Sequence, residues 1–504
     1  MVVSAPLGLK AAFLEALRTK SGIAAGAMLG FLILLAVFVP ILAPYNVVQA
    51  WNDPGAWTNN PKLAAPEWSE IFSGKHLPRT ILLAPNGEPG GFDKVRVSFN
   101  VSGQTYTIVV LRKSFSFQFD TFPSEIKLFM TAVFGNATGT QIRVFWDRPD
   151  GQEVHLFDGN PSVRAPYENT YSLTGPSFKD PSYAVYSNVR DWLVAKNVTN
   201  QTEWASLFPT SGGIYQNPPQ TQTMLMGRLN RTILDPETAE VLKGNYSFRI
   251  EFSGFTPTDD ANARAVVYGT VFGLAGTDYE GRDLLVALLW GAPVALAFGV
   301  AGALASVLIQ TILGAISGWY GGFIDEFVQR TADFYLIIPT LPILILLGIL
   351  YHLGILLILF VLVVFGVVGA TTKVVRSIVL QVKEEQFIEA ARSYGASRSR
   401  ILFRYILPRV MPYTFALIAL TVPAFIFLEA SLSFLGLGDP SLPTWGHILG
   451  DAYTQGALFA SRAYPTGLWW WVFFPAAGII FTTVAFALLG YAFDKVLNPR
   501  LREQ

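Results

Sequence analysis

The chain has no cysteine, which removes disulfide frameworks, thiolate metal sites and thiol catalysis together. Its histidines are His76, His155, His352 and His447, scattered singly, so a histidine-based metal site is not expected either. Charge is also scarce: 14% of residues are Asp, Glu, Lys or Arg, against about 25% in soluble globular proteins. The net charge is zero, which gives no electrostatic footprint for a nucleic-acid partner. No G-x-x-x-x-G-K-[ST] phosphate loop occurs, so the chain is not its own ATPase. What it has instead is apolar length. The mean hydropathy of +0.40 averages long apolar runs, mostly in the C-terminal half, with a polar, aromatic-rich block between positions 44 and 275.

A helix of about 20 apolar residues crosses the hydrocarbon layer of a bilayer. Six regions qualify: Ile23 to Leu42, Leu284 to Ile316, Thr331 to Leu350, Gly354 to Ala370, Tyr413 to Leu437 and Leu468 to Tyr491. The first follows Lys10, Arg18 and Lys20 like a signal peptide, but its apolar stretch exceeds a normal signal core, so it reads as a span. Between the fourth and fifth spans lie Lys373, Arg376, Lys383, Arg392, Arg398, Arg400, Arg404 and Arg409. Hiding each in lipid costs about 2.5 to 3.5 kcal/mol, so the loop lies in water, and its basic character makes it cytoplasmic. Six crossings then put both termini inside. The C-terminal Lys495, Arg500 and Arg502 agree, and Trp469, Trp470 and Trp471 are expected to form an aromatic belt at the outer end of the last span.

This topology places residues 44–275 outside. Their pattern is that of strands. Lys94 to Val101 alternates polar and apolar residues, which predicts a sheet with Val95, Val97 and Phe99 on its buried face, and Tyr246 to Phe252 repeats the alternation. Asp147-Arg148-Pro149-Asp150-Gly151 suits the turn of a hairpin between Val144 to Trp146 and Val154 to Phe157. The insert therefore reads as a mostly β, sandwich-like domain. It carries Asn-x-Ser/Thr acceptors at Asn100, Asn136, Asn197, Asn200, Asn230 and Asn245, possible N-glycosylation sites on an extracellular domain. Their enrichment fits an organism that glycosylates its surface proteins, an archaeon among them.

The basic loop contains Glu389-Ala390-Ala391-Arg392-Ser393-Tyr394-Gly395, followed at a distance by Leu407-Pro408. Helix formers run from Lys383 to Ala391, Gly395 breaks them, Ser397 caps a second short helix, and Pro408 is expected to end it. Two short helices joined at a glycine make a rigid peg. This spacing resembles the EAA loop of ABC importer permeases, the coupling helix that docks in a groove of the cytoplasmic ATPase. Further matches resemble the C-type subunits of the dipeptide/oligopeptide group: Gly276-Thr277-Asp278 with Gly281-Arg282-Asp283, Gly318-Trp319-Tyr320-Gly321-Gly322, Leu428 to Gly438, and Asn498-Pro499-Arg500-Leu501.

The resemblance implies an α-helical polytopic membrane protein, ABC type I importer permease-like, with six transmembrane helices and a large extracytoplasmic β-rich insert. Its expected organisation is a cytoplasmic N-terminus (1–21), a first span (22–43), the insert (44–275) and a permease core (276–504) with its coupling loop at 380–409. The implied function is the permease subunit of an ATP-driven importer of peptides, with oligosaccharide import as an alternative and a membrane-anchored surface receptor as a reading of a different class. Implied partners are a B-type sister permease, two ABC ATPase subunits, an extracellular substrate-binding protein and the lipid bilayer. No cofactor is implied in this chain; ATP and Mg belong to the partner ATPases. The coupling residues that the resemblance implies are Glu389, Ala390, Ala391, Gly395, Leu407 and Pro408. Glu429, an ionisable group inside a span, reads either as a pore or gate residue or as a carboxylate bonded to a neighbouring helix. Glu326 with Arg330, and Arg330 with Asp333, have the spacing of ion pairs within a helix, and Gly321 and Gly322 that of turn formers.

Overall fold

A computed structural model describes residues 9–134, 140–159, 167–173, 182–211, 214–215, 219–351, 354–439, 442–459 and 467–497. The chain divides into a helical unit, 1–53 with 284–504, and a unit of sheets spanning 54–283. The first helices are α1 (Leu9–Arg18), α2 (Lys20–Leu42) and α3 (Tyr45–Gln49).

In the sheet unit, one sheet has the order β1 (Ile81–Leu83), β11 (Asp260–Tyr268), β4 (Glu125–Val133), β7 (Tyr167–Ser172). The other runs β2 (Asp93–Val101), β3 (Gln104–Phe117), β10 (Gly244–Gly254), β5 (Gln141–Asp147), β6 (Glu153–Gly159). A small ladder joins β8 (Thr210–Ser211) to β9 (Ile214–Tyr215), and the α-helices of the unit among the described residues are α4 (Glu70–Ser73), α5 (Ser182–Ala195), α6 (Gln201–Leu207) and α7 (Thr221–Met226). Residues of both sheets share one core, with Ile126 and Leu128 from the first and Leu111, Trp146, Phe248 and Phe252 from the second, all fully buried. The sandwich and the 147–151 hairpin thus form as the alternation predicts. The hairpin turn is fixed by Arg148, whose side chain has no exposed surface and donates to the carbonyl oxygens of Met224, Leu225 and Gly227 at 2.7–3.1 Å and to Asp150 at 2.9 Å.

Strand β2 departs from its expected orientation. Val95, Val97 and Phe99 are 61%, 52% and 43% exposed. The register explains this: Val95 pairs with Val110, whose neighbours Val109 and Leu111 point into the core, so the apolar side of β2 is the outer side. Alternation identified two faces but not which one is covered.

The Gly276–Asp283 motif belongs to the sheet unit. The Thr277 hydroxyl donates to Pro61 O and accepts from Ala64 N–H, and the buried Asp278 and Arg282 pair at 2.5 Å, so the chain leaving this unit is stapled to the chain entering it. For the same reason the boundary falls later than 275 on this side, while α3 and residues 50–53 go with the helices.

The helical unit continues with α8 (Leu284–Tyr320), α9 (Gly322–Ile337), α10 (Thr340–Tyr351), α11 (Ile355–Phe365), α12 (Ala370–Lys383), α13 (Gln386–Ser393), α14 (Arg398–Ile401), α15 (Leu407–Phe434), α16 (Trp445–Thr454) and α17 (Trp469–Leu497). Among the described residues, four helical stretches are long and apolar enough to cross a membrane, Lys20–Leu42, Leu284–Tyr320, Arg398–Phe434 and Trp469–Val496. Two bent pairs, α9–α10 at 71° and α11–α12 at 43°, bring the number to 6 if each is one span. The third expected span is therefore broken: Ile338 precedes Pro339, which forces it into extended backbone and ends α9. The fourth ends early, at the Gly366 cap of α11. The expected tryptophan belt is a packing element instead, since Trp470 and Trp471 are 4% and 0% exposed.

Close helix contacts rest on glycine. A Cβ on Gly446 would fall 2.4 Å from Ala430 O, and one on Gly314 2.5 Å from Thr372 O, so α16 meets α15 and α8 meets α12 backbone to backbone.

Candidate functional site: a bent peg between two spans

The peg begins where α12 stops at Glu384–Glu385 and α13 starts. Helix α13 is strongly amphipathic: Ile388 is fully buried and Ala391 nearly so, while Glu389, Ala390 and Arg392 face outward. It ends in a Schellman motif. Ala396 N–H bonds Ala391 O at 3.1 Å and Gly395 N–H bonds Arg392 O at 2.9 Å, with Gly395 at φ +76°. A Cβ at Gly395 would touch nothing within 4 Å, so the requirement for glycine is conformational rather than steric. Ser397 then caps α14, accepting from Arg400 N–H at 3.4 Å.

The expected stop at Pro408 does not occur. Residues Leu402–Ile406 form a π-helical turn that runs into α15, making Arg398–Phe434 one continuous helix with Pro408 in the first turn of α15. The widened turn changes the hydrogen-bond register just ahead of the proline, whose missing N–H then interrupts no helix. The peg is thus one short helix and a glycine corner leading directly into a span.

Of the six expected coupling residues, Glu389, Ala390 and Gly395 are exposed on the bend, Ala391 is its buried anchor, and Leu407 (half-buried) and Pro408 (exposed) lie further along, on α15. Tyr394, to which the motif alone assigns no role, stands at the tip and is 92% exposed. Its position just before the helix-ending glycine was the available signal. The bend is seated on Trp319, Val375, Val379, Ile401, Leu402, Ile406 and Val410, so α8, α12 and α15 all meet beneath it.

Around this seat lies a polar network. Asp325 accepts from Arg376 Nε and Nη2, each at 2.5 Å, and from the Ser317 hydroxyl at 2.5 Å, joining α9, α12 and α8. Glu326 pairs with Arg330 at 2.7 Å as expected, whereas Asp333 pairs with Lys373 of α12 rather than with Arg330. Gly321 and Gly322, at φ +68° and +57°, turn the chain from α8 to α9.

Glu429 lies elsewhere, on α15, and is 5% exposed. Its Oε1 accepts from the Ser433 hydroxyl at 2.8 Å, and it also bonds Thr444, which caps α16. Asn100, Asn197, Asn200, Asn230 and Asn245 are all exposed, and Asn136 lies outside the described residues, as does the Asn498–Leu501 motif. The Asn100 carboxamide accepts from Gly103 N–H at 3.0 Å, and that of Asn200 caps α6. Among the described residues no group of three or more His, Cys, Asp or Glu side chains is arranged to hold a metal.

Residues 310–503 match the family described as the binding-protein-dependent transport system inner membrane component. The chain is 38% identical over 229 residues to the oligopeptide transport system permease protein OppC of Bacillus subtilis, covering 45% of this chain and 72% of that protein. It is 38% identical over 231 residues to the dipeptide transport system permease protein DppC of the same organism, covering 45% and 68%. It is 32% identical over 228 residues to the glutathione transport system permease protein GsiD of Pectobacterium atrosepticum, covering 45% and 72%. With an exposed peg set where α8, α12 and α15 meet and this extent of identity, the chain belongs to the family of binding-protein-dependent transport system inner membrane components, as a C-type permease subunit.

Proposed function

We propose that the chain is the permease subunit of an ATP-driven importer of peptides, moved by ATPase subunits that dock on the α13 bend. The observation that carries this reading is the peg itself. Its outer surface presents Glu389, Ala390, Gly395 and the projecting Tyr394, while its inner surface is fused to the core shared by α8, α12 and α15. A body that binds the outside therefore has mechanical purchase on α8, α12 and α15. Ala390 and Gly395 keep the outer surface low, Tyr394 fills a groove in the docked partner, and Glu389 gives the contact a fixed sign. Leu407 and Pro408 set the point where α15 leaves the peg.

The names of the relatives supply the substrate class, with oligopeptide, dipeptide and glutathione all short amide-linked chains. The working assembly has a B-type sister permease, two ATPases that hold ATP and Mg, and an extracellular binding protein. In this arrangement the basic peg and both termini lie in the cytoplasm, and the sheet unit lies outside as a docking platform or fence, glycosylated at some of its exposed sequons. Glu429 acts as a brace between α15 and α16, an arrangement that its hydroxyl partners support better than a group lining an open path. A Glu389→Lys or Gly395→Arg chain should lose co-purification with the ATPase subunits and lose uptake of a labelled peptide mixture. Normal association and uptake in both variants would sink the docking assignment. Glycosidase digestion with mass spectrometry of the peptides containing Asn100 and Asn245 tests the outside location independently.

A further inference from the structure

The peg reaches the spans by two routes that differ in stiffness. One passes through the π-helical turn Leu402–Ile406 into α15, where the register is irregular and Phe403, Arg404 and Tyr405 are exposed. The other passes through the apolar seat that α13 shares with α8 and α12, where one side chain also meets the charges of the peg. Trp319, near the end of α8 and 5% exposed, lies under the guanidinium of Arg392 on α13, whose carbon is 4.9 Å from the ring centroid, and Lys383 at the end of α12 approaches the same ring at 5.8 Å. Both distances are within the range of cation–π attraction.

The end of α8 is itself immobilised. A Cβ on Gly318 would lie 3.0 Å from Arg376 O, so α8 and α12 are in backbone contact there, and Asp325 with Arg376 and Ser317 locks α9 to both. The indole N–H of Trp319 is buried with no acceptor among the described residues. The ring is therefore held by its faces and edges, not by a directional bond, which is the kind of contact another aromatic ring can reproduce.

The geometry points to Trp319 as a positioning residue that clamps the peg to α8, α9 and α12, so that these elements move with α13 as one body when the ATPases close. This inference rests on the docking role of the peg, and adds the residue that carries the motion beyond it. Native cysteine is absent from the chain, so a Phe323→Cys, Gln386→Cys pair places two spin labels cleanly, one at the exposed start of α9 and one at the exposed start of α13 on the peg. The distance between them is measured in the complete complex, with cysteine-free partner subunits, without nucleotide and with ATP trapped.

In the otherwise unaltered chain the distance should be the same in the two states. Trp319→Leu should broaden and shift the ATP-trapped distribution, and Trp319→Phe should restore it. Arg392→Gln, which alters an exposed side chain and leaves the core intact, should reproduce the loosening if Trp319→Leu does not fold. A Trp319→Leu or Arg392→Gln distribution indistinguishable from the parent in both states overturns the clamp, as does a parent distance that changes on trapping. Failure of the docking reading has a separate signature, namely ATPase subunits that remain bound to the Glu389→Lys and Gly395→Arg chains.

Discussion

The two units solve the same burial problem in opposite ways. The sheet unit hides its largest side chains, with Trp146, Tyr246, Phe248 and Phe252 fully inaccessible, and turns mostly polar residues outward. The helical unit places glycine and alanine at its contacts and exposes Phe31, Leu34, Phe38, Leu356 and Phe360 on its periphery. Water rewards the first arrangement through the hydrophobic effect. In lipid that reward vanishes between helices, and close backbone approach takes its place.

The comparison breaks most sharply where each unit is least tolerant. Gly446→Val drives a branched side chain into the Ala430 backbone, which has nowhere to move. The variant should fail to assemble in the membrane, read as loss of a monodisperse detergent-purified chain, whereas Phe38→Leu on the exposed face of α2 should purify normally. Next is Trp146→Ala, an aromatic truncation in the sandwich core costing about 3–5 kcal/mol. It should make residues 54–283 protease-sensitive in the intact chain while the helical unit still extracts as folded.

Arg148→Ala removes the donors to three buried carbonyl oxygens at once, with an expected loss of about 2–4 kcal/mol visible in denaturant unfolding. By contrast, Val97→Thr on the outer side of β2 should change stability by less than about 0.5 kcal/mol, because that side chain is half exposed already. A large loss there would mean that this face is covered in the assembled protein.

The smallest effect is a pH dependence. Burial raises the Asp150 carboxyl, but the hydrogen bonds and charge of Arg148 outweigh it and hold the group below its ordinary value. A lowered folded value means stability present above the unfolded carboxylate range and lost as pH falls through the folded one. Acid titration of unfolding should therefore show a loss at low pH that Asp150→Asn lacks, and equal pH profiles for the two chains would assign the acid sensitivity elsewhere.

Much of the peg was legible before any coordinates. Gly395 declared its bend because a helix that closes with a Schellman motif needs left-handed backbone at that residue, and Ser397 announced the next cap. Pro408 misled, because a proline read as a terminator is accommodated by a π-helical turn in front of it, and such a turn has no composition of its own. Val95, Val97 and Phe99 misled for a related reason. Their period of two was real, yet the choice of face came from the pairing of Val95 with Val110. Trp319 was visible only as part of a motif, and nothing in the sequence singled out Asp325, since their partners Arg392 and Arg376 are remote in sequence.

The sequence by itself determined where the apolar stretches lie, the strand-rich insert, the hairpin turn and the bend, because each depends on local composition, period, capping or conformational freedom. Tertiary structure decided which side of β2 is covered, how the third span breaks, that the tryptophans of α17 pack inward, and that one indole joins the peg to α8. Those outcomes depend on which surfaces meet, and contacts between distant segments leave no periodic trace in the chain.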